Sequence, residues 1–182
     1  IGATFILIAV GLMYMMTGTL NMADLAQRIK TVEDTRTILM AFAFLSIGIM
    51  LKIALFPMHA WLPNAYSYAP SLVTAFIAAT STKVSLYVFL RFVFTIFGAE
   101  YAFGTLHFND VLLPLALLGI VIASAVAIYQ ADLKRLLAYS SVAQVGYIVL
   151  GISMGTVTGL TAGLAHMFNH AMMKGALFLA VG

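Results

Sequence analysis

The sequence predicts an all-α protein that crosses a membrane several times. Of its 182 residues, 63% are hydrophobic and 8% are charged, and the mean hydropathy is +1.07. Several apolar stretches exceed the roughly 20 residues that a helix needs to cross about 30 Å of hydrocarbon. A membrane β-barrel would instead show alternating strands of about ten residues. We therefore expect a helical bundle with about six transmembrane spans and discontinuous helices.

The spans follow one another with short polar connections. The first is expected at about 1–20, and a short surface helix follows, which Asn21 or Asp24 would cap and which ends near Ile29. Glu33 and Asp34 fit the cap of the next span because carboxylates stabilise a helix N-terminus. The remaining spans are expected at about 37–56, 71–97, 111–130, 136–152 and 158–182.

A proline-rich segment ends the second span. Pro57 and Pro63 interrupt a helix, because proline lacks an amide hydrogen and its ring clashes with the preceding turn. The single tryptophan, Trp61, lies between them, where it and His59 fit interfacial anchors. We expect a broken helix here, with Lys52 turned inward beside it. Snorkelling of Lys52 to the interface is the alternative.

Lys83 lies near the middle of the third span, with about a dozen residues on either side. That depth is roughly 18 to 20 Å from each helix end at 1.5 Å rise per residue, farther than a lysine stem can snorkel. An ionisable residue at this depth is costly, faces the bundle interior and typically marks an ion or proton pathway. Structural pairing with a buried acid is the alternative.

His166, His170 and Lys174 fall at positions i, i+4 and i+8 of the last span. They therefore share one helix face over roughly 12 Å and could relay protons. Two alternatives remain for this row. The histidine pair also fits a metal site, although no carboxylate or thiolate lies nearby in sequence, and polar packing with Asn169 would need no transport at all.

Composition excludes several other classes of function. The absence of cysteine removes thiolate metal sites, iron–sulfur clusters and disulfides from this segment. No glycine-rich dinucleotide or phosphate loop occurs, and the nine basic residues do not cluster into a nucleic-acid patch. We expect no cofactor, no metal, no nucleic-acid partner and no redox centre in this chain.

Buried lysines and histidines together have a defined proton chemistry. Desolvation disfavours an ammonium and a nearby carboxylate favours it, so moving that carboxylate can release a proton. Imidazole titrates near neutrality and can bridge two lysines. Alternating groups of the two kinds can therefore form a proton wire.

Several motifs together resemble the antiporter-like, proton-conducting membrane subunits over nearly the whole chain. They are Lys52, Phe56-Pro57-Met58-His59-Ala60-Trp61-Leu62-Pro63, Ala69-Pro70, Thr82-Lys83-Val84, Asp132-Leu133-Lys134-Arg135-Leu136-Leu137-Ala138-Tyr139-Ser140-Ser141, Gln144-Val145-Gly146-Tyr147 and His166-x-x-Asn169-His170-x-x-x-Lys174. That family includes the L, M and N subunits of respiratory complex I, the A and D subunits of Mrp-type Na+/H+ antiporters and membrane subunits of energy-converting hydrogenases.

The resemblance implies a core of about fourteen helices with inverted repeats. This chain would be one transmembrane domain fragment, residues 1–182, holding roughly the sixth to eleventh helices. The family's glutamate would precede it and the terminal lysine or glutamate would follow it. The implied proton pathway consists of Lys52, Lys83, His166, His170 and Lys174. The implied partners are other membrane subunits, the lipid bilayer, protons and, for an antiporter, Na+ or K+. The implied location is a bacterial inner membrane.

Three functions stay open at this point. The absence of a histidine at Phe76-Ile77-Ala78 favours an M, N or D type, and Val84 with Tyr87 after Lys83 favours the Mrp D type. We therefore expect a subunit of a multisubunit cation/H+ antiporter. A pumping subunit of complex I or a hydrogenase is the first alternative, and a structural membrane scaffold is the second.

Overall fold

The structure, a computed structural model, describes residues 1–32 and 35–181. Helices make up most of these residues and no strand occurs among them, so the predicted all-α fold is confirmed. The expected cap at Glu33 and Asp34 and the last residue, Gly182, lie outside the described residues.

Eight α-helices follow one another in the described part of the chain. They are α1 (Gly2–Thr17), α2 (Met22–Arg28), α3 (Thr35–Ile53), α4 (Trp61–Tyr68), α5 (Ser71–Leu90), α6 (Asn109–Ile128), α7 (Leu133–Ser153) and α8 (Val157–Ala180). A 3-10 turn extends α2 through Ile29–Thr31, and π-helical segments follow α5 at Arg91–Gly98 and Glu100–Thr105. The expected short helix after residue 20 is confirmed, with Asn21 Oδ1 accepting from the amide of Ala23 at 2.9 Å.

The predicted number of six spans is approximate. Within the described residues, four helices are long and apolar enough to cross a membrane, or five if the bent pair of α1 and the segment Met22–Thr31 counts as one span. The first span is shorter than expected because Gly18, with φ 69°, ends α1 after 16 residues. The last helix, α8, is long enough to cross a membrane at 24 residues. Its polar row, His166, His170 and Lys174, lowers its hydropathy, so it is not among these spans.

The chain divides into two compact units. Unit 1 comprises Ile1–Lys52 and Ser85–Leu106, and unit 2 comprises Ile53–Val84 and His107–Gly182. Lys52 belongs to unit 1, whereas the other four candidate site residues belong to unit 2. The expectation of one transmembrane domain over 1–182 stays a prediction.

In unit 1, glycines allow α1 and α3 to touch. A Cβ at Gly48 would lie 2.8 Å from the carbonyl oxygen of Gly2 and 2.8 Å from Cγ1 of Ile6. Such distances are shorter than any normal carbon contact, so this crossing requires glycine.

The predicted helix break after the second span is confirmed. The helix α3 ends at Ile53, Ala54 has φ 56°, the Phe56–Pro57 peptide bond is cis, and α4 begins only at Trp61.

The predicted inward orientation of Lys52 is wrong in this chain, because the side chain is exposed. Ile49 and Met50, in the same turn of α3, are buried at 1% and 3%, and Lys52 lies outside the face that they form. Its position in the last turn of α3 is one where the helix dipole favours a cation.

In unit 2, α7 lies among α4, α6 and α8. A Cβ at Gly146 would lie 2.8 Å from Ile120 of α6, and a Cβ at Gly151 would lie 2.7 Å from the carbonyl oxygen of Gly159 in α8. These close approaches fix the polar residues of α7 against both neighbouring helices.

Candidate functional site

The polar row of α8 faces the interior of unit 2. The helix begins with a cap in which Thr156 Oγ1 accepts from the amide of Gly159 at 3.1 Å. His170 and Lys174 are buried, at 0% and 3% exposure, and His166 is half-buried. The two imidazole rings are stacked, with centroids 6.3 Å apart and planes 5° from parallel. The structure therefore brings these three predicted residues together on one buried face.

Lys174 is held by a backbone carbonyl of α7. Its Nζ donates to the carbonyl oxygen of Leu137 at 2.8 Å, and the hydroxyl of Ser141 donates to the same oxygen at 3.0 Å. A carbonyl oxygen accepts hydrogen bonds through two lone pairs, but it carries no net charge. This contact therefore satisfies one of the three N–H donors of the ammonium, and it is not a salt bridge.

Lys83 reaches the same interior from α5. It is 8% exposed, and its Nζ donates to the carbonyl oxygen of Ala78. One turn earlier, α5 meets α8, where a Cβ at Gly175 would lie 3.5 Å from Cβ of Ala79. In the part of the chain that the structure describes, Lys83 thus has a carbonyl as its hydrogen-bond partner, not the carboxylate that a structural ion pair would need.

The two lysines and His170 form one electrostatic cluster. The ammonium groups of Lys83 and Lys174 lie close enough to repel each other, and His170 interacts electrostatically with both of them and with His166. Neither ring nitrogen of His170 has a hydrogen-bond partner among the described residues. A neutral imidazole carries one N–H donor and one lone-pair nitrogen, so the buried ring presents one unpaired donor and one unpaired acceptor to the interior of unit 2.

At one end of the row, His166 contacts a glutamine side chain. Its Nε2 lies 2.6 Å from Oε1 of Gln144 in α7, and the ring of Tyr147 meets it edge-on with centroids 6.1 Å apart. This contact bears on the metal alternative, because it already occupies one nitrogen of the histidine pair. No group of three or more His, Cys, Asp or Glu side chains suited to a metal occurs in residues 1–32 and 35–181.

A cleft opens between α6 and α7 on the other side of Gln144. Its volume is about 280 Å³. It is lined by Ser124, Ala127, Ile128, Leu136, Ser140, Ala143 and Gln144. Three of the lining residues, Ser124, Ser140 and Gln144, carry polar side chains, and the other four are apolar.

His59 packs within unit 2. Its ring stacks on Phe56 with centroids 5.4 Å apart and meets Tyr139 of α7 edge-on at 6.1 Å. The broken segment is thereby attached to the N-terminal half of α7.

Sequence reasoning missed two hydrogen-bond contacts of the row. The partner of Lys174 is a backbone carbonyl, which every residue carries and no sequence pattern reveals. Gln144 could have been found, because an uncharged polar side chain within an apolar span usually packs against another polar group.

The fold and the site together define a helical membrane protein with a cluster of buried basic groups. The sequence matches, over residues 1–182, the family described as "NADH:quinone oxidoreductase/Mrp antiporter, TM". The chain belongs to this family, so the resemblance drawn from the motifs is confirmed.

Three similar proteins illustrate the range of the family. The chain is 48% identical over 180 residues to NADH-quinone oxidoreductase subunit N of Desulforudis audaxviator, covering 99% of this chain and 36% of that protein. It is 37% identical to a chain in the structure of the membrane-bound sulfane sulfur reductase, an archaeal respiratory membrane complex, with TM-score 0.89 and coverage of 98% and 36%. For the Mrp complex from Dietzia sp. DQ12-45-1b, identity is 31%, TM-score 0.84 and coverage 99% and 32%.

These relatives are parts of multisubunit membrane complexes of the complex I and Mrp types. The chain spans about a third of the length of the relatives that it matches. The chain therefore corresponds to part of an integral membrane subunit of this family.

Proposed function

We propose that this chain forms part of the proton route of a proton-translocating subunit. The observation that carries the proposal is the convergence of Lys83, His170 and Lys174 in one buried cluster, with His166 continuing it along α8. The two ammonium groups have backbone carbonyls as partners. Each can therefore exist charged or neutral without leaving a carboxylate unpaired.

Repulsion between the two lysines supports movement of the proton. Two positive charges in a low-dielectric site interact several times more strongly than in water. A positive charge on one lysine is therefore unfavourable for a positive charge on the other. His170 lies within electrostatic range of both lysines and adds a third titratable group to the cluster. A proton arriving at one end of the cluster would thus promote release at the other.

Lys52 is included in the proposed pathway only because of its sequence motif. It lies in unit 1 and is exposed there, next to the helix break. An unwound segment beside a lysine is a typical place for water or ions in discontinuous transporter helices.

Two parent complexes fit the proposed route. A cation/H+ antiporter, exchanging protons for Na+ or K+, is supported by the likeness to the Mrp complex from Dietzia. A respiratory complex of the complex I type is supported by the higher identity, 48%, to NADH-quinone oxidoreductase subunit N. The residues that favoured the Mrp D type, Val84 and Tyr87, are exposed at 60% and 55% and belong to the surface of α5. We therefore propose both as candidate parents, in a bacterial inner membrane.

The test is proton translocation by the full-length subunit in its complex, measured in membrane vesicles with a pH-sensitive dye. His170→Asn removes the titrating ring and should abolish translocation while the complex stays assembled. His107→Asn is the matched control, because His107 is an exposed histidine outside the row. If His170→Asn vesicles pump at the normal rate, the route does not pass through the row. If the complex instead fails to assemble, the scaffold alternative is favoured.

A further inference from the structure

Gln144 contacts the row of α8 and also lines a cleft. Its Oε1 lies 2.6 Å from Nε2 of His166. Its side chain also lines the cleft of about 280 Å³ between α6 and α7, together with the hydroxyl-bearing Ser124 and Ser140. Gln144 is thus the residue of α7 that both contacts the row and lines the cleft.

The orientation of the Gln144 carboxamide selects which nitrogen of His166 carries the hydrogen. With the carboxamide oxygen facing the ring, as it does here at 2.6 Å, Nε2 of His166 donates and the neutral ring is the Nε2–H tautomer. Nδ1 then holds the lone pair and is the nitrogen that can take up a proton. A half-turn of the carboxamide would present its NH2 group to the ring and require the opposite tautomer.

We propose that Gln144 is a positioning residue for His166 and that the cleft behind it gives water access to this end of the row. The inference rests on the proposed proton route and adds where that route meets water. The serine hydroxyls and the carboxamide supply the two to four polar partners that an ordered water needs. Gln144 holds the His166 ring in one tautomer while water in the cleft approaches it.

The first experiment measures translocation against pH for two variants at this position. Gln144→Leu removes the acceptor and should slow translocation about tenfold, the size expected for losing one buried hydrogen-bond partner. Gln144→Glu keeps an acceptor oxygen and adds a charge that favours the imidazolium. It should retain more of the rate and move the pH profile to higher pH.

The matched control is Gln130→Leu. Gln130 donates to the carbonyl of Val126 at the end of α6 and does not line the cleft. It should leave the rate and the pH profile unchanged. The other titratable groups around His166 are Tyr147 of α7 and His170 of its own helix, with Lys83 of α5 and Lys174 beyond His170. These groups stay the same in all three variants.

The second experiment tests water access to the cleft by thiol labelling. The chain contains no cysteine, so single cysteines can be introduced at Ser140, which lines the cleft, and at Ser141, which is 4% exposed. A charged, membrane-impermeant methanethiosulfonate is applied to right-side-out and everted vesicles, with the unmodified complex as background. Ser140→Cys should react from one side, and Ser141→Cys from neither.

The outcomes separate this inference from the proposed function. Normal translocation by His170→Asn would overturn the proton route itself. If His170→Asn fails but Gln144→Leu and Gln144→Glu keep the normal rate and pH profile, the positioning role of Gln144 is overturned alone. If Ser140→Cys is unreactive from both sides, or reacts no faster than Ser141→Cys, the cleft does not give water access.

Discussion

The ammonium of Lys174 donates to the carbonyl oxygen of Leu137 at 2.8 Å, across 37 residues of sequence. The contact joins the C-terminal part of α8 to the N-terminal part of α7. The same carbonyl also accepts from Ser141. If Lys174 becomes neutral or moves, that oxygen keeps a partner, and α7 loses no obligatory hydrogen bond. The site can therefore change its protonation without disturbing the helix that supports it.

The first prediction concerns Lys83. Lys83→Ala should abolish cation/proton exchange or coupled pumping in vesicles while the complex remains assembled, because it removes a titrating group. Lys83→Arg should also fail although it keeps the charge, since a guanidinium with a pKa above about 12 does not release its proton. Lys83→His should retain part of the activity. Full transport by Lys83→Arg would show that only a fixed positive charge is needed here.

The second prediction concerns the coupling of the two lysines. Lys174→Met should lower translocation strongly, to a small but measurable rate, with little loss of stability, because replacing a buried charge by an apolar side chain of similar length is often neutral. Residues of one network show non-additive effects. The double variant with Lys83→Met should therefore lose no more activity than either single variant, measured as the initial rate of acidification. Strictly multiplicative losses would place the two lysines on separate routes.

The third prediction concerns Lys52. If Lys52 belongs to the pathway, Lys52→Gln should lower the translocation rate at least about tenfold. This is a lower bound, because a single proton-transfer group typically contributes more than that to a rate. Lys30→Gln is the matched control, because Lys30 is another exposed lysine near the end of a helical segment of unit 1. Equal rates for the two variants would support the snorkelling interpretation and remove Lys52 from the route.

The fourth prediction concerns the crossing of α7 and α8. Gly151→Ala places a Cβ 2.7 Å from the carbonyl oxygen of Gly159, which is backbone and must shift. Overpacking of this kind costs about 1–3 kcal/mol, so the complex in detergent should unfold at a lower temperature. Gly11→Ala should be neutral or stabilising, because nothing lies within 4 Å of its new Cβ. An unchanged melting temperature for Gly151→Ala would mean that the two helices are not held together at this point.

The sequence by itself determined the features that depend on neighbouring residues. Apolar runs and their polar boundaries predicted a helical membrane protein, and the 3.6-residue period placed His166, His170 and Lys174 on one helix face. Pro57 and Pro63 predicted the break after α3, and the motifs identified the family. The first three of these follow from backbone hydrogen bonding or hydrophobicity over a few residues.

Only the tertiary structure decided which groups meet across helices. Gln144 and His166 are 22 residues apart, and their contact depends on the close packing of α7 against α8 at glycine. The proximity of Lys83 to Lys174 depends likewise on the crossing of α5 and α8. The tertiary structure also decided that Lys52 is exposed, because the sequence around a lysine does not reveal which side of its helix packs against other helices. Long-range contacts arise from the shapes of packed surfaces, and no local pattern in the chain encodes them.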